Sequence, residues 1–143
     1  TFDVPVTFKF IQTPKTIIVL TEDVFSYRQI HMDGRAHPKD ADPTWMGHSV
    51  GRWEGDTFVV DTTGFNDKSW LDDDGHPHTE ALKTTEKFRR PDYGHMTMEI
   101  TIDDPKSYAR PWSATFHFHL IPEVEFIEYF CDNEADQKHM VGQ

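Results

Sequence analysis

This chain has one cysteine, few basic side chains, no long apolar run and no stretch at helical spacing. Each absence removes a class of protein. Cys131 is the single cysteine among 143 residues, so an internal disulfide framework is excluded, and the residue reads as a small side chain packed near the end of a strand. Lysine and arginine total 14 against 25 aspartates and glutamates, a net charge of -11. That balance repels phosphate backbones and anionic lipid, so nucleic acid is not expected as a partner. Arg89 and Arg90 are the only adjacent basic pair. The apolar run Ile17 to Leu20 is far shorter than the ~20 residues that span a bilayer, so membrane insertion is not expected. Glycine-rich helix starts of the P-loop or Rossmann type are missing as well.

What is present is alternation. Apolar residues recur with period two between evenly spaced turn residues, which predicts an all-β meander with little helix. Nine strands are expected: Phe8 to Gln12, Thr16 to Thr21, Phe25 to Met32, His48 to Trp53, Thr57 to Thr63, Ala81 to Arg90, His95 to Ile102, Trp112 to Ile121 and Val124 to Cys131. Hairpin-type turns at Asp33-Gly34, Glu54-Gly55-Asp56, Asp92-Tyr93-Gly94 and Pro122-Glu123 join neighbours and favour an antiparallel order. The expected architecture is a single β domain over residues 1–143, closing into a lipocalin-like (calycin-like) barrel or a sandwich. Thr1 is not an initiator methionine, which suits a mature or C-terminal part of a longer precursor. Two longer connections, Arg35 to Gly47 and Phe65 to Thr79, are rich in Pro, Asp and His. Ordered long loops on a β scaffold are where sites usually sit.

The chemistry-bearing residues crowd between Trp45 and Glu80, which hold three tryptophans and His48, His76 and His78. In an extended His76-Pro77-His78-Thr79-Glu80, residues two apart point the same way, so His76, His78 and Glu80 could form a half-site for a divalent metal, zinc or iron. His48 or His37 would supply a further ligand. The competing reading is a polar loop hydrogen-bonded to neighbouring strands. Asp72-Asp73-Asp74-Gly75 lacks the alternating acids of a calcium loop and reads as an exposed turn. Gly47-His48-Ser49-Val50-Gly51 matches G-x-S-x-G, but it lies in a strand and hairpin with no following helix, so it is not a nucleophile elbow.

Strand patterning singles out two more places. In the sixth strand Glu86 shares the apolar face with Leu82 and Phe88; it is either a structural ion pair with Arg28 or Arg52, or a catalytic acid or base. In the eighth, His117 and His119 lie side by side opposite the apolar face and read as solvated.

Several segments together carry a resemblance: Gln12-Thr13-Pro14, Tyr27-Arg28-Gln29-Ile30, Pro43-Thr44-Trp45, Gly47 to Thr57, Thr63 to Asp67, Gly75-His76-Pro77-His78-Thr79-Glu80 and Thr101-Ile102-Asp103-Asp104-Pro105. Over nearly its whole length the chain resembles a large family of uncharacterised secreted bacterial proteins. The resemblance implies a periplasmic or extracellular protein, and an upstream region with a cysteine to which Cys131 would have paired. It implies no activity.

Two functions fit. One is a binding module whose barrel takes up a small apolar or aromatic molecule, with His and Arg groups at its mouth. The other is an enzyme, a lyase, isomerase or hydrolase, using His37, His48, His76 or His78 as acid or base with Glu86 or Asp61 fixing the tautomer, or using a metal-activated water. Exposed edge strands also suit a protein partner, a homo-oligomer or an accessory role in a larger assembly.

Overall fold

The structure, a computed structural model, describes residues 7–22 and 27–126. Eight strands follow one another: β1 Phe8–Gln12, β2 Thr16–Thr21, β3 Tyr27–His31, β4 His48–Glu54, β5 Thr57–Thr63, β6 Lys83–Arg89, β7 His95–Asp103 and β8 Trp112–His119. No helix occurs among the described residues. Of the ninth expected strand, residues 124–126 are described and are not in a strand; the remainder, with Cys131, lies outside the described residues.

The eight strands make one sheet in chain order. Short connections explain most of that order. Between β4 and β5, Glu54 pairs with Thr57 across two loop residues, and Gly55 supplies the positive φ of 63° that such tight hairpins need. The exception is β3 and β4, which run parallel through Ile30 with Ser49 and His31 with Val50. This corrects the expected antiparallel order: Asp33-Gly34 does not close a hairpin. The chain instead travels through the Pro- and Asp-rich loop and re-enters from the same end, as a parallel pair requires a long crossover.

The sheet curls into a half-barrel. Laid flat, eight strands would put β1 about 34 Å from β8 at the usual spacing between neighbours. Yet the rings of Phe8 in β1 and Phe118 in β8 meet edge to face with centroids 5.0 Å apart. The curl follows from burial on one face. Pairing registers place Phe10, Ile17, Ile30, Phe58, Val60, Phe88 and Met98 on the concave side, where they form the main apolar cluster. Leu71, Leu82, Ile100 and Ile102 form a second cluster at the other end, with Trp112 and Tyr108 against it. The alternation read in β6 and β8, and seen again in β7, is therefore the concave–convex alternation of the sheet.

Gly51 lies on this concave face opposite Val60. A Cβ there would stand 2.6 Å from Met32 Sδ and 2.8 Å from both Ile30 Cγ2 and Phe58 Cε2. Met32 can swing aside, but Ile30 and Phe58 are buried and cannot. Gly51→Ala is expected to cost about 1–3 kcal/mol by overpacking, read from the urea midpoint at unchanged slope. A variant as stable as the parent would show that the interior has room there.

Candidate functional site

Between the two apolar clusters, the concave face carries a polar knot. Arg28 of β3 donates from Nη1 to Glu86 Oε1 at 2.8 Å and from Nη2 to Glu86 Oε2 at 2.5 Å. Its Nε donates to Ser49 Oγ at 2.9 Å and its Nη2 also reaches Thr62 Oγ1 at 2.6 Å. Ser49 and Thr62 are themselves joined at 2.9 Å. Glu86, Ser49 and Thr62 are all buried. Of the two arginines considered for Glu86, alternation decides: Arg28 faces in with Ile30, while Arg52 faces out with Val50 and binds Asp61 and Glu54. The knot also disposes of the G-x-S-x-G match, since Ser49 Oγ is held between a guanidinium and a threonine instead of being presented to solvent.

The loop from Phe65 to Leu82 closes one end of the concave face, with Leu71 buried beneath it. His76, His78 and Glu80 were expected to converge; the loop gives each its own surroundings. Leu71 N–H donates to the His76 carbonyl and Trp70 bridges to Pro77, so the chain reverses just before His76, and Leu82 N–H donates to the Thr79 carbonyl, which puts Glu80 in a turn where the two-residue rule of an extended strand does not apply. His76 is exposed, its Nδ1 2.6 Å from Asp72 Oδ2. His78 is buried against the Phe65 ring, its Nε2 3.1 Å from Ser69 Oγ. Glu80 is exposed. Among the described residues no three His, Cys, Asp or Glu side chains form a group able to hold a metal ion. Desolvation would raise the Asp72 carboxyl, but hydrogen bonds from the His76 backbone and imidazole outweigh it and hold it below the ordinary carboxylate range.

The same loop is pinned by Asp104, which follows β7. Its carboxylate accepts from Thr79 N at 2.6 Å, Thr79 Oγ1 at 3.0 Å, Lys106 N at 3.1 Å and Ser107 Oγ at 3.1 Å. Burial pushes this carboxyl up, yet these donors prevail and lower it. The Gly75 to Glu80 and Thr101 to Pro105 motifs are thus two halves of one structural joint.

His48 points to the convex side, opposite to Glu86. Its ring covers Gly64, where a Cβ would come within 2.8 Å of Cδ2, and its Nε2 lies 3.3 Å from the Asp42 carbonyl. Also on this side is Asp61, which burial pushes up but which the Thr85 hydroxyl and Arg52 hold below its usual range, with His37 contributing. The candidate acid–base residues His48, His76, His78 and Glu86 therefore have different partners: the Asp42 carbonyl, Asp72, Ser69 and Arg28 respectively.

What sequence reasoning missed is the seam that the described strands leave between the two edges of the curled sheet. A groove of about 530 Å³ runs between β1 on one side and β7 and β8 on the other. Its apolar lining includes Phe8 and Phe10 of β1, Met96 of β7, Phe118 of β8, and Leu120 and Phe126 beyond it. Phe8 and Phe10 meet edge to face at 5.4 Å, and Phe10 continues to Phe88 at 5.5 Å, so the groove floor is the outer end of the aromatic core. Alternation set an apolar face on β8; only the curl of the sheet brings the two edge strands together. No family model, curated protein or solved structure matches the chain.

Proposed function

We propose that the protein is a lipocalin-like binding module whose ligand, a small apolar or aromatic molecule, lies in the groove between β1 and β7–β8. The observation that carries this reading is the aromatic lining at the open seam. A volume of about 530 Å³ falls within the roughly 300–1,000 Å³ of small-molecule sites, which are mostly apolar with a few polar groups to orient the ligand. The acid–base enzyme reading finds less support, since His48, His76, His78 and Glu86 each already have a partner of their own. Resemblance to exported bacterial proteins supports placing this binding function in the periplasm or outside the cell.

Titration with the neutral fluorophore N-phenyl-1-naphthylamine is expected to give a saturable, one-site rise in emission with micromolar affinity. Leu120, half-exposed at the groove, provides the control. Leu120→Glu should weaken binding by about tenfold or more, because the probe would have to bury against a charge. A rise that never saturates, or one indifferent to Leu120→Glu, overturns the assignment.

A further inference from the structure

The groove also has a sign. Acids outnumber bases 25 to 14 in the chain, yet none of the described residues lining the groove is Asp or Glu, whereas Lys9, Arg90, His95, His117 and His119 all line it. Lys9 is exposed on β1, and His117 and His119 are exposed on β8. Among the described residues none of these three has an acidic partner. Arg90 donates to the backbone carbonyls of Asp92 at 3.2 Å and Tyr93 at 2.5 Å, and stacks over the Tyr93 ring at 5.2 Å. These are neutral acceptors, so its charge is oriented but not cancelled. Of the acids beside the lining residues, Asp92 is engaged by the His95 ring at 2.9 Å and by the Gly94 and His95 N–H groups, while Glu22, Glu123 and Glu125 adjoin lining residues without lining the groove themselves.

Alternation gives the arrangement a direction. Phe8, Phe10, Met96 and Phe118 face the interior, while Lys9, His117 and His119 face out from the same two edge strands. A molecule lying in the seam meets an aromatic floor on one side and, on the other, a rim where the Lys9 and Arg90 cations stand among imidazoles. On a protein of strongly negative net charge, such a cleft concentrates anions locally against the overall field.

We infer that the groove selects anionic amphiphiles, of the type of a monocarboxylate with an unbranched apolar tail, the head held at Lys9 and Arg90 beside the rim histidines and the tail laid over the phenylalanines. This inference rests on the binding function proposed above, and the test separates the two. Isothermal titration would compare dodecanoate, dodecanol and dodecyltrimethylammonium, each below its micellar concentration, on the full chain. Dodecanoate is expected to bind about tenfold tighter than dodecanol, with the trimethylammonium compound weakest, since a charge-assisted contact in a partly desolvated groove is worth on the order of that factor. In the double variant Lys9→Glu, Arg90→Glu, both positions being exposed, the order of anion and cation should invert while the melting temperature holds. Equal affinity for all three, or a preference for the cation, overturns the charge selection and leaves the apolar binding function standing. Failure of all three to bind saturably overturns both.

Discussion

Glu86→Ala is expected to destabilise the protein by about 3–5 kcal/mol, because it strands the Arg28 guanidinium among buried groups with no counter-charge. Glu86 accepts two hydrogen bonds from Arg28 and its side chain is 3% exposed. Coulombic attraction in that setting is offset by the cost of desolvating both ions, so the pair as a whole adds little; what is costly is breaking it. The double variant Arg28→Met, Glu86→Leu is therefore expected to lose much less than Glu86→Ala alone, with Ser49 and Thr62 still bonded to each other. Urea denaturation of the parent, the single and the double variant measures the coupling directly. If Glu86→Ala stays within 1 kcal/mol of the parent, the knot is not what joins the two apolar clusters.

Asp104→Ala should cost about 3 kcal/mol. It removes one buried acceptor from four donors, and two of these, the N–H groups of Thr79 and Lys106, are backbone. Asp104→Asn keeps the shape and half of the acceptor capacity, and should lose less. The pH dependence has a definite sign. Donor hydrogen bonds lower the folded-state carboxyl below its unfolded value, so its stabilisation is complete above the unfolded pKa of about 3.9 and is lost as the pH falls through the lowered native value. The stability gap between parent and Asp104→Asn is expected to be constant from pH 7 to pH 5 and to narrow below pH 4. A gap that persists to pH 3 would show that the carboxylate charge does not matter to the joint. Because Asp104 pins Thr79, the same variant should also raise hydrogen exchange in the loop around His78.

Strand positions were legible because a strand states its own pattern: Met96, Met98, Ile100 and Ile102 alternate with polar residues whatever the rest of the chain does. Glu86 was legible for the same reason, as the odd acid on an apolar face, and its pairing with Arg28 was one of the alternatives already visible. The His76–Glu80 reading applied strand geometry to a loop, and Glu80 lies in the turn from Thr79 to Leu82. There the turn from Leu71 to His76 and the Trp70–Pro77 bridge decide direction, and such contacts have no local periodic signature. The parallel β3–β4 pair escaped for a related reason, since Asp33-Gly34 has hairpin composition but the path of the chain beyond it is set by where the crossover packs.

By itself the sequence determined that this is an all-β chain of short strands, which face of each strand is apolar, and that acids dominate its surface. Those properties depend on neighbours one or two residues apart. The tertiary structure alone decided that Phe8 meets Phe118, that Lys9, Arg90, His117 and His119 gather at one groove, and that His76 pairs with Asp72 while His78 packs against Phe65. Each depends on the curl of the whole sheet, a sum of small twists and of burial on one face that no single segment contains.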